Sequence, residues 1–250
     1  MEKINNNKSE VININNQKMS LAENHQTVLK IFDAFNNLLK NDFDYFYTGG
    51  LMLFIRYEDN LERYHNDLDI YLNEDQLLDL KQAVDNSDSF KFISNMYKKT
   101  VNGHEYKITY KDFPVSIGIF LFERKNDGSI ITKKYYYDDL PNKENLYVDE
   151  RHFNEKYSQL VFNDDILYYN HLPYKMVSPE FIFYSKMTLK PQREKDLYDI
   201  KYAKNKVNKN LVSAIDREKQ KKIDIIHKKL DESIIIDIER NNDKPPRSIK

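Results

Sequence analysis

The sequence predicts an α/β chain of the α+β kind, in which a mixed β-sheet with flanking helices precedes a helical C-terminal region. Three observations predict it. Val28, Ile31, Phe32, Phe35, Leu38 and Leu39 recur at helical spacing over residues 22–40. Short β-type runs then alternate with short helical ones between residues 44 and 122. From Ser178 onward the apolar period is helical.

Residues 1–20 are Asn-rich and polar with no usable period, and read as a disordered leader. After the amphipathic helix, Asp44-Tyr45-Phe46-Tyr47 is a β-type run that stops at Thr48-Gly49-Gly50. Residues 51–59 read as a short helix, 67–72 as a strand, and 74–84 as a helix with Leu77, Leu80 and Val84 on one side. Three β-like stretches follow at 90–94, 104–110 and 113–122. Residues 126–165 carry Tyr-containing β fragments, Tyr135-Tyr136-Tyr137 among them, without a clear period. Ser178 as a cap with Pro179 at the first turn starts a helix that must end near Pro191. A second begins around Arg193. A third is expected over 210–230, from Leu211, Ile215, Ile223, Ile226 and Leu230. The expected organisation is a leader (1–20), a catalytic core (21–125), a C-terminal region (126–240, helical from about 178) and a disordered tail (241–250).

Composition excludes several chemistries. The chain holds 40 acidic and 39 basic residues, so net charge names no partner. It has no cysteine, which removes disulfides, thiol nucleophiles and Cys-ligated zinc. Its six histidines form no HExxH pair. No apolar run would span a bilayer and no signal-peptide pattern opens the chain, so the expectation is a cytoplasmic protein without a membrane partner.

The chemistry-bearing segment is Asp67-Leu68-Asp69-Ile70-Tyr71-Leu72. Alternate residues of a strand share a face, so Asp67 and Asp69 project together while Leu68 and Ile70 enter the core. Two adjacent carboxylates repel unless a cation lies between them, and Mg²⁺ takes oxygen ligands and arrives with nucleotide phosphates. The alternative is a solvated acidic strand edge. Upstream, Thr48-Gly49-Gly50 stands between a strand and a helix, where glycine lets backbone approach a phosphate.

In this order the segments resemble the nucleotidyltransferase superfamily (the DNA polymerase β-like fold), whose signature is a Gly-Gly or Gly-Ser turn followed by a strand with two alternating aspartates. The likeness is closest to AbiEii-type and MenT-type toxin nucleotidyltransferases. Arg63 stands where that family has an arginine, and Ser178-Pro179-Glu180, Lys186 and Arg193-Glu194-Lys195-Asp196-Leu197-Tyr198-Asp199-Ile200 resemble its C-terminal element. The resemblance implies a Mg²⁺-dependent transfer of a nucleoside monophosphate from an NTP to an acceptor hydroxyl or phosphate. It assigns the metals (two ions) to Asp67 and Asp69, and the nucleotide to Thr48, Gly49, Gly50, Arg63, Lys186 and Asp196. Lys186 and Asp199 join the two strand aspartates as catalytic residues. It also implies a role in toxin–antitoxin or phage-defence systems, with an antitoxin partner.

Departures from the pattern are specific. His65 stands where Ser or Thr is frequent, and Gly118 occupies the position where the superfamily has a third carboxylate. Asp196 or Asp199 could supply that function, or Glu123 could, although it falls on the opposite strand face from Gly118. A catalytically dead binding protein of the same fold is the remaining alternative. The acceptor is not named by the sequence. The basic stretch 201–230 suits tRNA or another RNA, while a small-molecule acceptor such as an antibiotic hydroxyl stays open.

Overall fold

One strand, β7, joins the halves of this molecule, because it pairs with different partners along its length. The computed structural model describes residues 11–14, 17–40, 42–57, 63–96, 104–111, 113, 115–137, 146–221 and 225–230. The elements are β1 (Val11–Ile14), β2 (Gln17–Ser20), α1 (Leu21–Leu39), β3 (Tyr45–Thr48), α2 (Gly50–Tyr57), β4 (Asp67–Asn73), a 3₁₀ turn (Glu74–Gln76) and α3 (Leu77–Asp85). They continue as β5 (Phe90–Met96), β6 (His104–Tyr110), β7 (Ser116–Arg124), β8 (Ile130–Tyr137), β9 (Leu146–Phe153) and α4 (Glu155–Val161). After β10 (Leu167–Tyr169) and β11 (Leu172–Tyr174) come α5 (Pro179–Thr188), α6 (Glu194–Ala203), α7 (Lys209–Gln220) and β12 (Ile225–Leu230).

Among the described residues, β3 through β9 and β12 form one eight-stranded mixed sheet. β4 lies antiparallel to β3 and parallel to β7, with Asp69 opposite Thr48 on one side and Gly118 on the other. On its second edge β7 pairs with β6 over Ser116–Ile119 and with β8 over Leu121–Arg124. The sheet therefore forks at Phe120.

Strand alternation assigns the two faces. Leu68, Ile70, Leu72, Ile117, Ile119 and Leu121 are buried on one face, with Tyr45 and Tyr47 of β3. α1 covers that face: Phe32 lies 5.0 Å from Tyr47 and Phe35 lies 5.7 Å from Phe90, ring to ring. The opposite face carries Thr48, Asp67, Asp69, Tyr71, Gly118 and Phe120, and closes further along over Phe46, Phe122 and Phe162, whose rings lie within 5.9 Å of one another. Ser20 starts α1 with a capping box, its side chain accepting from the Glu23 N–H while the Glu23 carboxylate accepts from the Ser20 N–H at 2.8 Å.

The mixed sheet and flanking helices are as the sequence predicts. Three boundaries differ. β1 and β2 pair as an antiparallel hairpin within the stretch read as a leader, because a backbone ladder needs no apolar period to form. Residues 1–10 and the tail 241–250 lie outside the described residues. No division falls at residue 125, since β8 and β9 continue the same sheet and Ile130, Val148 and Ile215 belong to the same core cluster. The third C-terminal helix ends at Gln220, and residues 225–230 instead pair with β9 as an edge strand. Ile226 and Leu230 satisfy both periods over so short a run, and pairing with a waiting strand edge decides it. No helix among the described residues is long and apolar enough to cross a membrane.

The segment Lys175–Val177 runs alongside β3, with the Tyr47 N–H donating to Lys175 O and the Val177 N–H to Tyr47 O, both at 2.9 Å. This delivers Ser178, whose hydroxyl accepts from the Phe181 N–H at 3.2 Å, to the start of α5. Ser178→Ala should remove about 1 kcal/mol, lowering Tm by about 2–4 °C for a chain of this size, and Ser178→Asp should restore it. Thermal denaturation followed by circular dichroism checks the pair.

Candidate active site

Asp69 projects from β4 into a slot with glycine on both sides. Gly49 has a φ of 87°, the left-handed region that side chains other than glycine's rarely adopt, and a Cβ there would sit 3.1 Å from Asp69 Oδ2. A Cβ on Gly118 would sit 2.6 Å from Asp69 Oδ1. Gly118 is thus the space that lets the Asp69 carboxylate stand between the two strands. Asp67, one same-face position back, is exposed, and its Oδ2 is 3.5 Å from the Lys195 ammonium.

Burial pushes the Asp69 carboxyl up to about 7, with the neighbouring Asp67 charge adding to it and Lys195, Lys186 and Arg193 opposing it. Loss of water and mutual repulsion both disfavour charge on this pair, and a cation between the carboxylates would relieve both. Its donors are carboxylate oxygens only, the set Mg²⁺ accepts from a protein when phosphate oxygens complete the shell. That fits one hard cation. The position facing Asp69, where the superfamily pattern leads one to expect a third acid, holds Gly118, and no cluster of three acidic or histidine ligands occurs among the described residues.

Behind this pair lies a chain of alternating charges. Arg63 donates from Nε and Nη2 to the two oxygens of Asp199 at 2.6 and 2.7 Å. Lys186 reaches Asp199 at 2.7 Å and Asp196 at 3.1 Å. Arg193 closes the chain on Asp196 through Nε and Nη2, at 2.7 and 3.0 Å. Both aspartates are fully buried and Lys186 is nearly so. Burial alone would raise Asp196, but hydrogen bonds from Arg193 and Lys186 outweigh it and hold the carboxyl well below its ordinary range. An ammonium has three N–H donors; two of those on Lys186 face carboxylates, leaving one for a further ligand. A Cβ on Gly50 would collide with Arg63 Nη2 and Asp199 Oδ2, so the second glycine of the turn is where α2 meets the chain.

The structure thus gathers the residues singled out from sequence. Thr48, Gly49, Asp69 and Gly118 meet across β3, β4 and β7, while Gly50, Arg63, Lys186, Asp196 and Asp199 meet behind them. Glu123 does not join: its carboxylate is engaged by Lys125 and Lys133, at 3.2 Å for the latter, on the opposite face of β7. His65 is buried against Phe54 with its backbone clamped by Asn24, and desolvation first, then nearby cations, holds its ring well below its ordinary range. Lys190 lies beyond the end of α5 and is exposed. The role of Gly118 as space was missed, because it depends on the parallel pairing that puts residue 118 against residue 69, which no local pattern carries.

No protein-family model and no curated protein matches the sequence. Among solved structures, the solution structure of the antibiotic-resistance factor ANT(2'')-Ia is similar at 10% identity, over 77% of this chain and 90% of that one, with a TM-score of 0.48. The crystal structure of ANT(2'')-Ia in complex with adenylyl-2''-tobramycin gives 12% identity, 76% and 92% coverage and a TM-score of 0.46. Likeness at that distance carries nothing for the chemistry of this chain.

A carboxyl raised on folding stabilises the fold fully below its ordinary range, and that contribution is lost as pH rises through its folded value. In the presence of EDTA, Tm should therefore fall between pH 5 and pH 8. Asp69→Asn should flatten this dependence, and Mg²⁺ added at pH 8 should raise Tm of the wild type but not of Asp69→Asn. Calorimetry across the pH series reads all three.

Proposed function

We propose that this chain is a nucleotidyltransferase that moves a nucleoside monophosphate from an NTP to an acceptor hydroxyl or phosphate. The observation that carries the reading is the Asp67–Asp69 pair, cradled by Gly49 and Gly118 and backed by a buried lysine with one donor to spare. A bound Mg²⁺ would supply charge neutralisation between these carboxylates and the phosphates. Asp67 and Asp69 would hold it, within the two-ion arrangement that the resemblance implies.

The residues of the chain do the rest. Gly49 and Gly50 leave room for Asp69, Arg63 and Asp199 at the β3–α2 turn, which would face the triphosphate with Thr48 beside it. Lys186, oriented by Asp196 and Asp199, turns its remaining N–H toward the phosphates as charge builds there. Arg63 fixes Asp199 and adds positive potential beside the turn. The acceptor oxygen attacks the α-phosphorus in line, the new O–P bond replaces the bond to pyrophosphate, and the acceptor proton passes to water. Catalysis of this kind is positioning and charge stabilisation.

RNA as acceptor is supported by the exposed Lys201, Lys204, Lys206 and Lys209, which run on from the helix that carries Asp196 and Asp199. A toxin role with an antitoxin partner follows from the AbiEii- and MenT-type resemblance and is part of the same proposal; growth arrest on expression tests it. Gly118 favours one second reading, nucleotide binding without transfer.

The test is radiolabelled NTP with Mg²⁺ and a total-tRNA pool. Wild type should label RNA, and Asp67→Asn with Asp69→Asn should abolish labelling while leaving Tm unchanged or slightly raised. Nucleotide bound with no label transferred would establish the second reading. Lys186→Ala should slow transfer tenfold to a hundredfold, the worth of a charge-assisted phosphate contact at roughly 1.5–3 kcal/mol. Lys190→Ala should change transfer less than threefold, since an exposed lysine contributes at most a fraction of a kcal/mol.

A further inference from the structure

The site face of the sheet continues past the acidic pair into an aromatic one. In the parallel pairing of β4 with β7, the rung Asp69–Gly118 is followed on the same face by Tyr71–Phe120, about 6.8 Å along the strands. The rings of Tyr71 and Phe120 lie 5.5 Å apart, tilted by 40°. Tyr71 is fixed from behind by Phe162 at 5.3 Å in an edge-on contact. Phe120 is 49% exposed, at the residue where β7 has left β6 and not yet met β8. An exposed apolar side chain on an outer surface is ordinary. This one stands on the face that carries Asp69, one rung beyond a glycine whose side-chain space the Asp69 carboxylate takes.

Charge and aromaticity are laid out in order along this face. Lys195 meets Asp67 at one end, Lys186 and Arg193 act on Asp69 next to it, and the two rings come after. A nucleotide has the same order: polyphosphate, then one ribose, then a flat ring. We propose that Phe120, propped by Tyr71, is a stacking platform for a nucleobase of the bound substrate. This rests on the nucleotidyl-transfer reading and adds to it where the base lies. Stacking on an aromatic side chain is tolerant of base identity, because every base has a π-face. The platform thus predicts weak discrimination among the four NTPs.

The experiment compares Phe120→Ala, Phe120→Leu and Phe120→Trp with wild type, using ATP and inorganic tripolyphosphate in the presence of Mg²⁺, and a short RNA as acceptor. The chain has no tryptophan, so Phe120→Trp adds a single fluorophore at the platform. If the platform holds the base of the NTP, Ala and Leu should weaken ATP binding about fivefold to a hundredfold while leaving tripolyphosphate unchanged. Trp should retain affinity and be quenched by ATP. If it holds a base of the acceptor, ATP binding stays at wild-type strength and KM for the RNA rises by the same factor. Wild-type behaviour of both Ala and Leu toward ATP and RNA would overturn the platform alone. Failure of wild type to bind either ATP or tripolyphosphate would overturn the nucleotidyl-transfer reading and the platform with it.

Discussion

Two buried carboxylates, Asp196 and Asp199, impose the constraint on which the rest of this molecule depends. Each has lost its water, and an uncompensated buried charge costs several kcal/mol. They are satisfied only if a loop from before β4, the end of α5 and the start of α6 all converge, bringing Arg63, Lys186 and Arg193 to them. The charge chain therefore ties the helical part of the molecule to the Gly-Gly turn. It also explains why Gly50 carries no side chain: the guanidinium and carboxylate occupy the volume a Cβ would take. Such a network is weak evidence for extra stability and strong evidence for fixed geometry, since removing one partner leaves the others uncompensated.

In front of this compensated chain stands the opposite arrangement. Asp69 is pressed between strands beside a second carboxylate, with cations near enough to act on it but not to balance it. The contrast divides labour within one cluster of acids. Asp196 and Asp199 are closed in by Arg63, Lys186 and Arg193, while Asp67, with Lys195 at 3.5 Å, and Asp69 keep oxygens for a further cation. A carboxyl raised by burial beside a second carboxylate is the kind of group that active sites arrange.

Much of this was legible in the residues. The alternation in Asp67-Leu68-Asp69-Ile70 gives the shared face, and the Gly-Gly turn between strand and helix gives its neighbour. Ser178-Pro179 gives the start of α5, and the spacing of Asp196 and Asp199 gives their common helix side. What local pattern could not carry was pairing. Ile226 and Leu230 fit a helix as well as a strand until β9 offers its edge, and residues 130–137 and 146–153 show no clear period because their order comes from a long-range ladder. Gly118 illustrates the same limit. Read along the strand it is a missing acid; seen across the strand it is the room that Asp69 occupies.

The Arg63–Asp199 bond joins residues 136 positions apart, and that separation has a temporal meaning. Residue 199 leaves the ribosome long after the acidic strand and the glycine turn have been made. Until then Arg63 has no carboxylate to meet and Lys186 no aspartates to orient it. Closing so long a loop is slow relative to forming local helices and hairpins. During synthesis the strands around the acidic one can pair first, while Lys186, Arg193, Asp196 and Asp199 arrive together well after them.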